Sequence, residues 1–287
     1  MPDKNKNNIL ELNSAINNKN VADKYRKKEK FDRAIDYYEK AIILDPIYLN
    51  AWICLGIVYR QKKDYDKAIE CYEKSNEIDP TYAGTWNNLG VVYRYKGDFS
   101  KSIKCYKKAI ELDPNYPTAW MNMGYTYYVS EKFKEAIKCF ETSLELDSKL
   151  VELYHSLGFN YCDKSIAAKI WANLGSTYLE MGKFFDAKEC YKNSFDLDNS
   201  NIDVLNNLAN SFLRLEKTDK AIKYYLKAIE LNHIFKKPWN NLGVAYLKKN
   251  NINEAILCFK KALEIDPDYK MAQNNFYATA ISEGYIL

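Results

Sequence analysis

Histidine, proline and glycine are scarce in this 287-residue sequence, at 2, 7 and 10 copies. His155 and His233 come with no nucleophile-and-acid motif and no metal-ligand spacing, and no glycine-rich phosphate loop is present. The positioned constellation that an enzyme needs is therefore not written here. So few prolines and glycines disfavour an all-β or disordered chain and fit long helices. No apolar run approaches the roughly 18 residues of a membrane helix. The polar start, Met1 to Asn8, has no signal-peptide core. No sign of charge dominates: 42 basic against 38 acidic residues, net +4, leave no broad basic footprint for nucleic acid. Seven cysteines without a C-x-x-C pair indicate neither a disulfide framework nor a zinc module. The expectation is a soluble, cytoplasmic, non-catalytic protein with no cofactor, no metal, no nucleic acid and no membrane insertion.

What the sequence has is repetition. Trp52, Trp86 and Trp120 are each 34 residues apart, and Trp171 and Trp239 are 68 apart with Leu205 midway. Gly56, Gly90, Gly124, Gly175 and Gly243 follow each Trp by four, and Tyr59, Tyr93, Tyr127, Tyr178 and Tyr246 by seven. Those spacings put Trp, Gly and Tyr on one face of an α-helix. A second helix carries a small residue and an aromatic four later: Ala68 and Tyr72, Ser102 and Tyr106, Ala136 and Phe140, Ala187 and Tyr191, Ala221 and Tyr225, Ala255 and Phe259. Large residues on one helix meet small ones on the other, so each pair packs closely antiparallel. A bulkier residue at Gly56 or Gly90 overpacks at a cost of about 1–3 kcal/mol. Several units end near Asp-Pro, at Pro46, Pro80, Pro114 and Pro267, where Pro cannot continue the hydrogen-bond ladder.

These residues resemble the tetratricopeptide repeat family over nearly the whole chain. The resemblance implies an all-α, right-handed superhelical solenoid of antiparallel helix pairs with a concave groove. Full repeats 1–4 fall at 15–48, 49–82, 83–116 and 117–150, and repeats 5–7 at 168–201, 202–235 and 236–269. Residues 1–14 are a polar N-terminal segment. Residues 270–287 are a capping helix and tail, with Gln273 at the Trp position. The stretch 151–167, with Tyr154, Gly158 and Tyr161, reads as a first helix without a second. It is a cap on the first four repeats, a lone helix kept in the stack, or the remnant of a regular eight-repeat parent lacking about half a period.

In this family the first helix lines the groove, and the positions two and five after the Trp face a ligand. The +2 position holds Asn20, Cys54, Asn88, Asn122, Ser156, Asn173, Asn207 and Asn241. Such a ladder of amides pairs with an extended peptide backbone, and it is similar to the asparagine ladder of the O-GlcNAc transferase repeat region and of peroxisomal targeting-signal receptors. Asn is also common in the family consensus at this place. The +8 position holds Arg26, Arg60 and Arg94, then Tyr128. Arginines pair with carboxylate or phosphate, so the N-terminal half is expected to take an acidic or phosphorylated segment; a solvated row, or pairs with this chain's own Asp and Glu, is the alternative. Ile57, Val91, Tyr125 and Phe159, with Ile53 and Met121 nearby, suggest an apolar strip beside it, unless they pack against neighbouring helices. His155 is expected to face the groove. The carboxylate clamp of co-chaperone repeats is not matched: only Asn88 fits, and Asp23 stands where Asn is needed.

Cys71, Cys105, Cys139, Cys190 and Cys258 share one repeat position and are read as packing residues. The functional expectation is a scaffold binding an extended segment of a partner protein through Asn88, Asn122, Asn173, Asn207, Asn241, Arg26, Arg60, Arg94, Ile57 and Tyr125. The alternatives are the substrate-recruiting repeat region of an O-GlcNAc-transferase-like enzyme without its catalytic domain, and a subunit of a larger assembly.

Overall fold

A computed structural model describes residues 4–156 and 165–282. Among these residues there are fifteen α-helices and no strand. Two compact units contain them, 1–135 and 136–287. In the first are α1 (Lys4–Lys27), α2 (Phe31–Leu44), α3 (Leu49–Gln61), α4 (Tyr65–Ile78), α5 (Ala83–Tyr95), α6 (Phe99–Leu112) and α7 (Pro117–Val129). The division falls inside α8 (Phe133–Ser156). The second holds α9 (Ser165–Glu180), α10 (Phe184–Leu197), α11 (Ile202–Arg214), α12 (Thr218–Leu231), α13 (Lys236–Lys248), α14 (Ile252–Ile265) and α15 (Lys270–Ser282).

The helices pair as the size pattern demands. Ala34, Ala68, Ser102, Ala136, Ala187, Ala221 and Ala255 are all fully buried, as are Tyr38, Tyr72, Tyr106, Phe140, Tyr225 and Phe259. The glycines of the first helices lie directly on these rings. A β-carbon at Gly56 comes within 2.8 Å of the Tyr72 ring, one at Gly90 within 2.7 Å of Tyr106, and one at Gly243 within 2.5 Å of Phe259. Ser102 stands where the other repeats have Ala, and its hydroxyl lies 3.4 Å from the Thr126 hydroxyl, so the extra polar atom is not orphaned.

Two turns recur. Within a pair, the first helix ends in a Schellman motif: Lys30, Asp64, Asp98, Lys132, Lys183, Lys217 and Asn251 each donate N–H to the carbonyl five residues back. The residue before each donor has positive φ, at Glu29, Lys63, Gly97, Glu131, Gly182, Glu216 and Asn250. Between pairs, the second helix ends at an Asx turn. Asp45, Asp79, Asp113, Asp198, Asn232 and Asp266 each accept the N–H two residues on. Proline follows only four of these six, so the side-chain turn, more than the missing N–H, is common to every ending.

Two helices depart from the expected boundaries. α1 begins at Lys4, so the polar segment 1–14 is largely helical; it holds no Pro or Gly after Pro2 to stop it. α8 runs on to Ser156, where the repeat spacing predicts a break near 150 and a fresh helix from Val151. Asp147 occupies the turn position but is buried within the helix, and Ser148 takes the place of Pro and returns its hydroxyl to the Leu144 carbonyl at 2.9 Å. The remainder of the expected half-repeat, residues 157–164 with Phe159, lies outside the described residues, as does the His155 side chain.

Within each unit, successive first helices touch: α1 with α3, α3 with α5 and α5 with α7, then α9 with α11, α11 with α13 and α13 with α15. The backbones of the second helices α2, α4 and α6, and likewise α10, α12 and α14, do not approach one another as closely. First helices therefore line the inner, tighter side of each stack.

Candidate functional site

Every sequence-predicted site residue lies on a first helix and is partly exposed: Arg26, Ile57, Arg60, Asn88, Arg94, Asn122 and Tyr125 in the first unit, Asn173, Asn207 and Asn241 in the second. The Asn column is more engaged within the protein than a free ladder. Asn122 donates its amide to Asn87 Oδ1 at 2.9 Å. Asn241 donates to Asn206 Oδ1 at 3.0 Å, and Asn275 to Asn240 Oδ1 at 2.9 Å. Asn87, Asn206 and Asn240 sit one residue after the Trp position and are buried. A buried amide needs its partners, and the next repeat's +2 Asn supplies one. In repeat 2 the corresponding residue is Ile53, buried and part of the core. Asn88 is thereby released from this pairing.

The Arg column divides in two. Arg26 belongs to a closed cluster: the Tyr38 hydroxyl donates to Asp23 Oδ1 at 2.5 Å, and Arg26 Nε donates to the Tyr38 oxygen at 3.2 Å. Lys19 Nζ lies 2.8 Å from Asp23 Oδ2 and Arg26 Nη2 3.6 Å from Oδ1. Burial pushes the Asp23 carboxyl up, but the bonds from Lys19 and Tyr38 and the two cations outweigh it and hold the carboxyl below its usual value. For Arg26, pairing within the chain is what occurs. Arg60 and Arg94 have no such carboxylate. Their Nε atoms, and the hydroxyls of Tyr72 and Tyr106, are buried without a hydrogen-bond partner among the described residues. Arg94 is held over the Tyr125 ring, 4.7 Å from its centroid, a cation–π contact.

Sequence spacing does not single out the tyrosine hydroxyls or Asp23 as binding groups; it reads Tyr38, Tyr72 and Tyr106 as packing rings alone. The signal that marks them is the fixed twelve-residue step from each Arg to its Tyr.

The Trp positions have a structural role. Trp52, Trp86 and Trp239 donate indole N–H to the carbonyls of Pro46, Pro80 and His233 at 2.9, 3.0 and 2.9 Å. Gln273, which replaces Trp in α15, makes the same bond to Pro267 at 2.7 Å. Burial pushes the thiols of Cys71, Cys105, Cys190 and Cys258 up to about 12, which fits packing residues and not nucleophiles. Among the described residues there is no group of His, Cys, Asp and Glu able to hold a metal. None of the described helices is long and apolar enough to cross a membrane.

Sequence models described as the TPR or tetratricopeptide repeat match residues 20–48, 37–70, 58–94, 90–130, 117–150, 168–201, 202–235 and 237–269. The chain belongs to the tetratricopeptide repeat family. No curated protein matches it in sequence. Solved tetratricopeptide repeat structures share its fold. YrrB, a TPR protein with an unusual peptide-binding site, is 22% identical with a TM-score of 0.54, over 72% of this chain and 97% of that one. PilF of Pseudomonas aeruginosa is 20% identical with a TM-score of 0.66, over 80% and 96%. A tetratricopeptide repeat protein from Parabacteroides merdae is 16% identical with a TM-score of 0.64, over 93% and 99%. This repeat protein is thus an all-α solenoid of stacked helix pairs, with 151–167 the one stretch between its matched repeats wider than a residue.

Proposed function

We propose that this tetratricopeptide repeat protein is a non-catalytic scaffold that binds an extended segment of a partner protein along its first helices. The observation that carries the reading is the pair of buried Arg–Tyr clusters in α3–α6 whose Nε and hydroxyl atoms have no hydrogen-bond partner among the described residues. Most buried polar groups are hydrogen-bonded, and these four lie together in two like clusters one repeat apart. The Asn88 amide, freed by Ile53, lies on the same set of helices and offers both donor and acceptor to a peptide backbone. Asn122 and Asn241 serve repeat stacking first and offer a ligand only what remains of their amides, whereas Asn207, with Ala172 at the preceding repeat's +1 position, accepts from Asn206 of its own helix. Ile57 and Tyr125 line the same face beside the arginines. The cationic side chains favour an acidic or phosphorylated segment. That YrrB has a peptide-binding site agrees with the reading. As part of the proposal the protein works in the cytoplasm, where its buried free thiols remain reduced.

The test is affinity capture from a cell extract with the wild-type chain and with Asn88→Ala/Arg60→Met/Arg94→Met, followed by titration of each captured partner. Partners lost from the variant, at unchanged melting temperature, are ligands of this face. Equal capture by both chains sinks the reading. Sugar-nucleotide turnover by the purified chain would argue instead for a transferase.

A further inference from the structure

We infer that repeats 2 and 3 each hold one carboxylate of the bound segment, at Arg60 with Tyr72 and at Arg94 with Tyr106, as Asp23 is held by Arg26 and Tyr38 in repeat 1. The inference rests on the extended-segment reading and specifies what that segment carries.

The seven repeats of this chain make the comparison internally. The residue five after the Trp position stands next to the second-helix aromatic, and the two vary together. In repeat 1, Asp23 accepts from Tyr38. In repeat 5, Ser176 bonds the Tyr191 hydroxyl at 2.9 Å. In repeat 6, Asn210 accepts from Tyr225 at 2.5 Å. Repeats 4 and 7 have Phe140 and Phe259, with no hydroxyl to satisfy, and carry Tyr125 and Val244 at the fifth position. Only repeats 2 and 3 combine a hydroxyl with an apolar fifth residue, Ile57 and Val91. They are also the repeats that keep the Arg while lacking the acid.

The resulting groups are costly to leave as they are. Tyr72 and Tyr106 are 0% exposed, and neither hydroxyl nor either Arg Nε has a partner among the described residues. Burial pushes both phenols up; the charge and side-chain donors of the neighbouring guanidinium oppose this in each case, and at Tyr106 the Ser102 and Thr126 hydroxyls oppose it as well. A phenol beside a guanidinium forms part of the donor set around Asp23, which Lys19 completes at 2.8 Å; repeats 2 and 3 keep the phenol and the guanidinium and have Ile53 and Asn87 at the place of Lys19. Asp23 itself keeps 23% of its side chain exposed, and Ile57 and Val91, which stand at its position in repeats 2 and 3, are likewise only partly buried. A carboxylate, not a phosphate, is the ligand that the chain's own first repeat demonstrates. Neighbouring first helices lie roughly 10 Å apart, about one three-residue turn of a segment extended as polyproline II, which returns the side chains at i and i+3 to one face. The segment therefore presents Asp or Glu at i and i+3.

Two measurements on the full chain test this. The first puts the carboxylate in cis. Ile57→Asp should change the melting temperature by less than about 2 °C, and should lower it by about 5 °C or more when combined with Arg60→Met. Val91→Asp with Arg94→Met repeats the cycle. Equal losses with and without the Arg overturn the inference. The second needs no new buried charge. Fluorescein-labelled peptides with Asp-Ala-Ala-Asp, Asn-Ala-Ala-Asn or phosphoSer-Ala-Ala-phosphoSer in one Ser/Ala background are titrated by anisotropy. The Asp peptide should bind about tenfold tighter than the Asn peptide, and Arg60→Met or Tyr72→Phe should each erase most of that margin. Equal binding of Asp and Asn peptides overturns the inference while leaving the groove reading intact. Tighter binding of the phosphoSer peptide overturns the carboxylate assignment in favour of phosphate. Binding of none of the three, with coupling seen in the first cycle, overturns the extended-segment reading and supports the carboxylate sites.

Discussion

At the scale of the residue, the glycines and the Asp23 cluster make the sharpest claims. Gly56 and Gly243 have no room for a methyl group, since ring carbons lie 2.8 and 2.5 Å from where a β-carbon would stand. Gly56→Ala or Gly243→Ala is expected to lower stability by about 1–3 kcal/mol, read by urea unfolding. Gly97→Ala meets nothing within 4 Å but sits at φ +79, so its loss, about 1 kcal/mol, comes from backbone conformation alone. Asp23 is a depressed carboxyl. Its contribution is full above the unfolded pKa near about 3.9 and is lost as pH falls through the lower folded value. Comparing Asp23→Asn with wild type by thermal melting, the gap should be present at pH 6 and should close in strong acid, and it should be small because Asp23 is partly solvated. The glycine–ring contacts are legible in the sequence, because size complementarity at fixed spacing has one physical solution. The Asp23–Tyr38–Arg26 cluster is not, because which of several nearby groups a hydroxyl chooses depends on rotamers that spacing does not fix.

At the scale of the element, helix length follows from how each turn is satisfied. Five of the seven Schellman turns place a residue other than glycine at positive φ. Lys63→Gly, at φ 64 and outside the Asp64 cap, should raise stability by about 0.5–1 kcal/mol in a chemical denaturation curve. The Asx turns that end the second helices predict the opposite sign. Asn232→Ala leaves the Ile234 N–H without its acceptor and should cost about 0.5–1.5 kcal/mol by the same measurement. Pro as the stop signal finds four endings and explains them by the missing N–H. The Asx residue explains six, including Asp198 and Asn232, which have no Pro. The unbroken course of α8 shows why the signal is incomplete. Asp147-Ser148 can satisfy itself inside a helix, and no local rule chooses between the two states. Gln273 departs from the Trp pattern in residue type, yet it makes the Trp hydrogen bond; the change of side chain hides a retained donor.

At the scale of the whole molecule, the described helices of each unit contact helices one or two places away along the chain, so stability within a unit is transmitted pair by pair. Destabilising α13 through Gly243→Ala should therefore lower amide-exchange protection in α11 to α15 first and leave α1 to α6 unchanged. The fold class is legible at this scale because seven copies average out local ambiguity. The asparagines are harder to read, since one column of amides mixes stacking with exposure, and only the neighbour at the preceding repeat's +1 position decides which. That neighbour sets a rule of succession. A repeat with Asn87, Asn206 or Asn240 buried can be followed only by one bearing an amide at the next +2 site, whereas a repeat with Ile53 accepts any successor. An array cut after repeat 2 therefore takes any successor, while one cut after repeat 3 or 6 keeps its grammar with repeats 3 to 7, which bring Asn to the joint, and loses it with repeat 2, which brings Cys54.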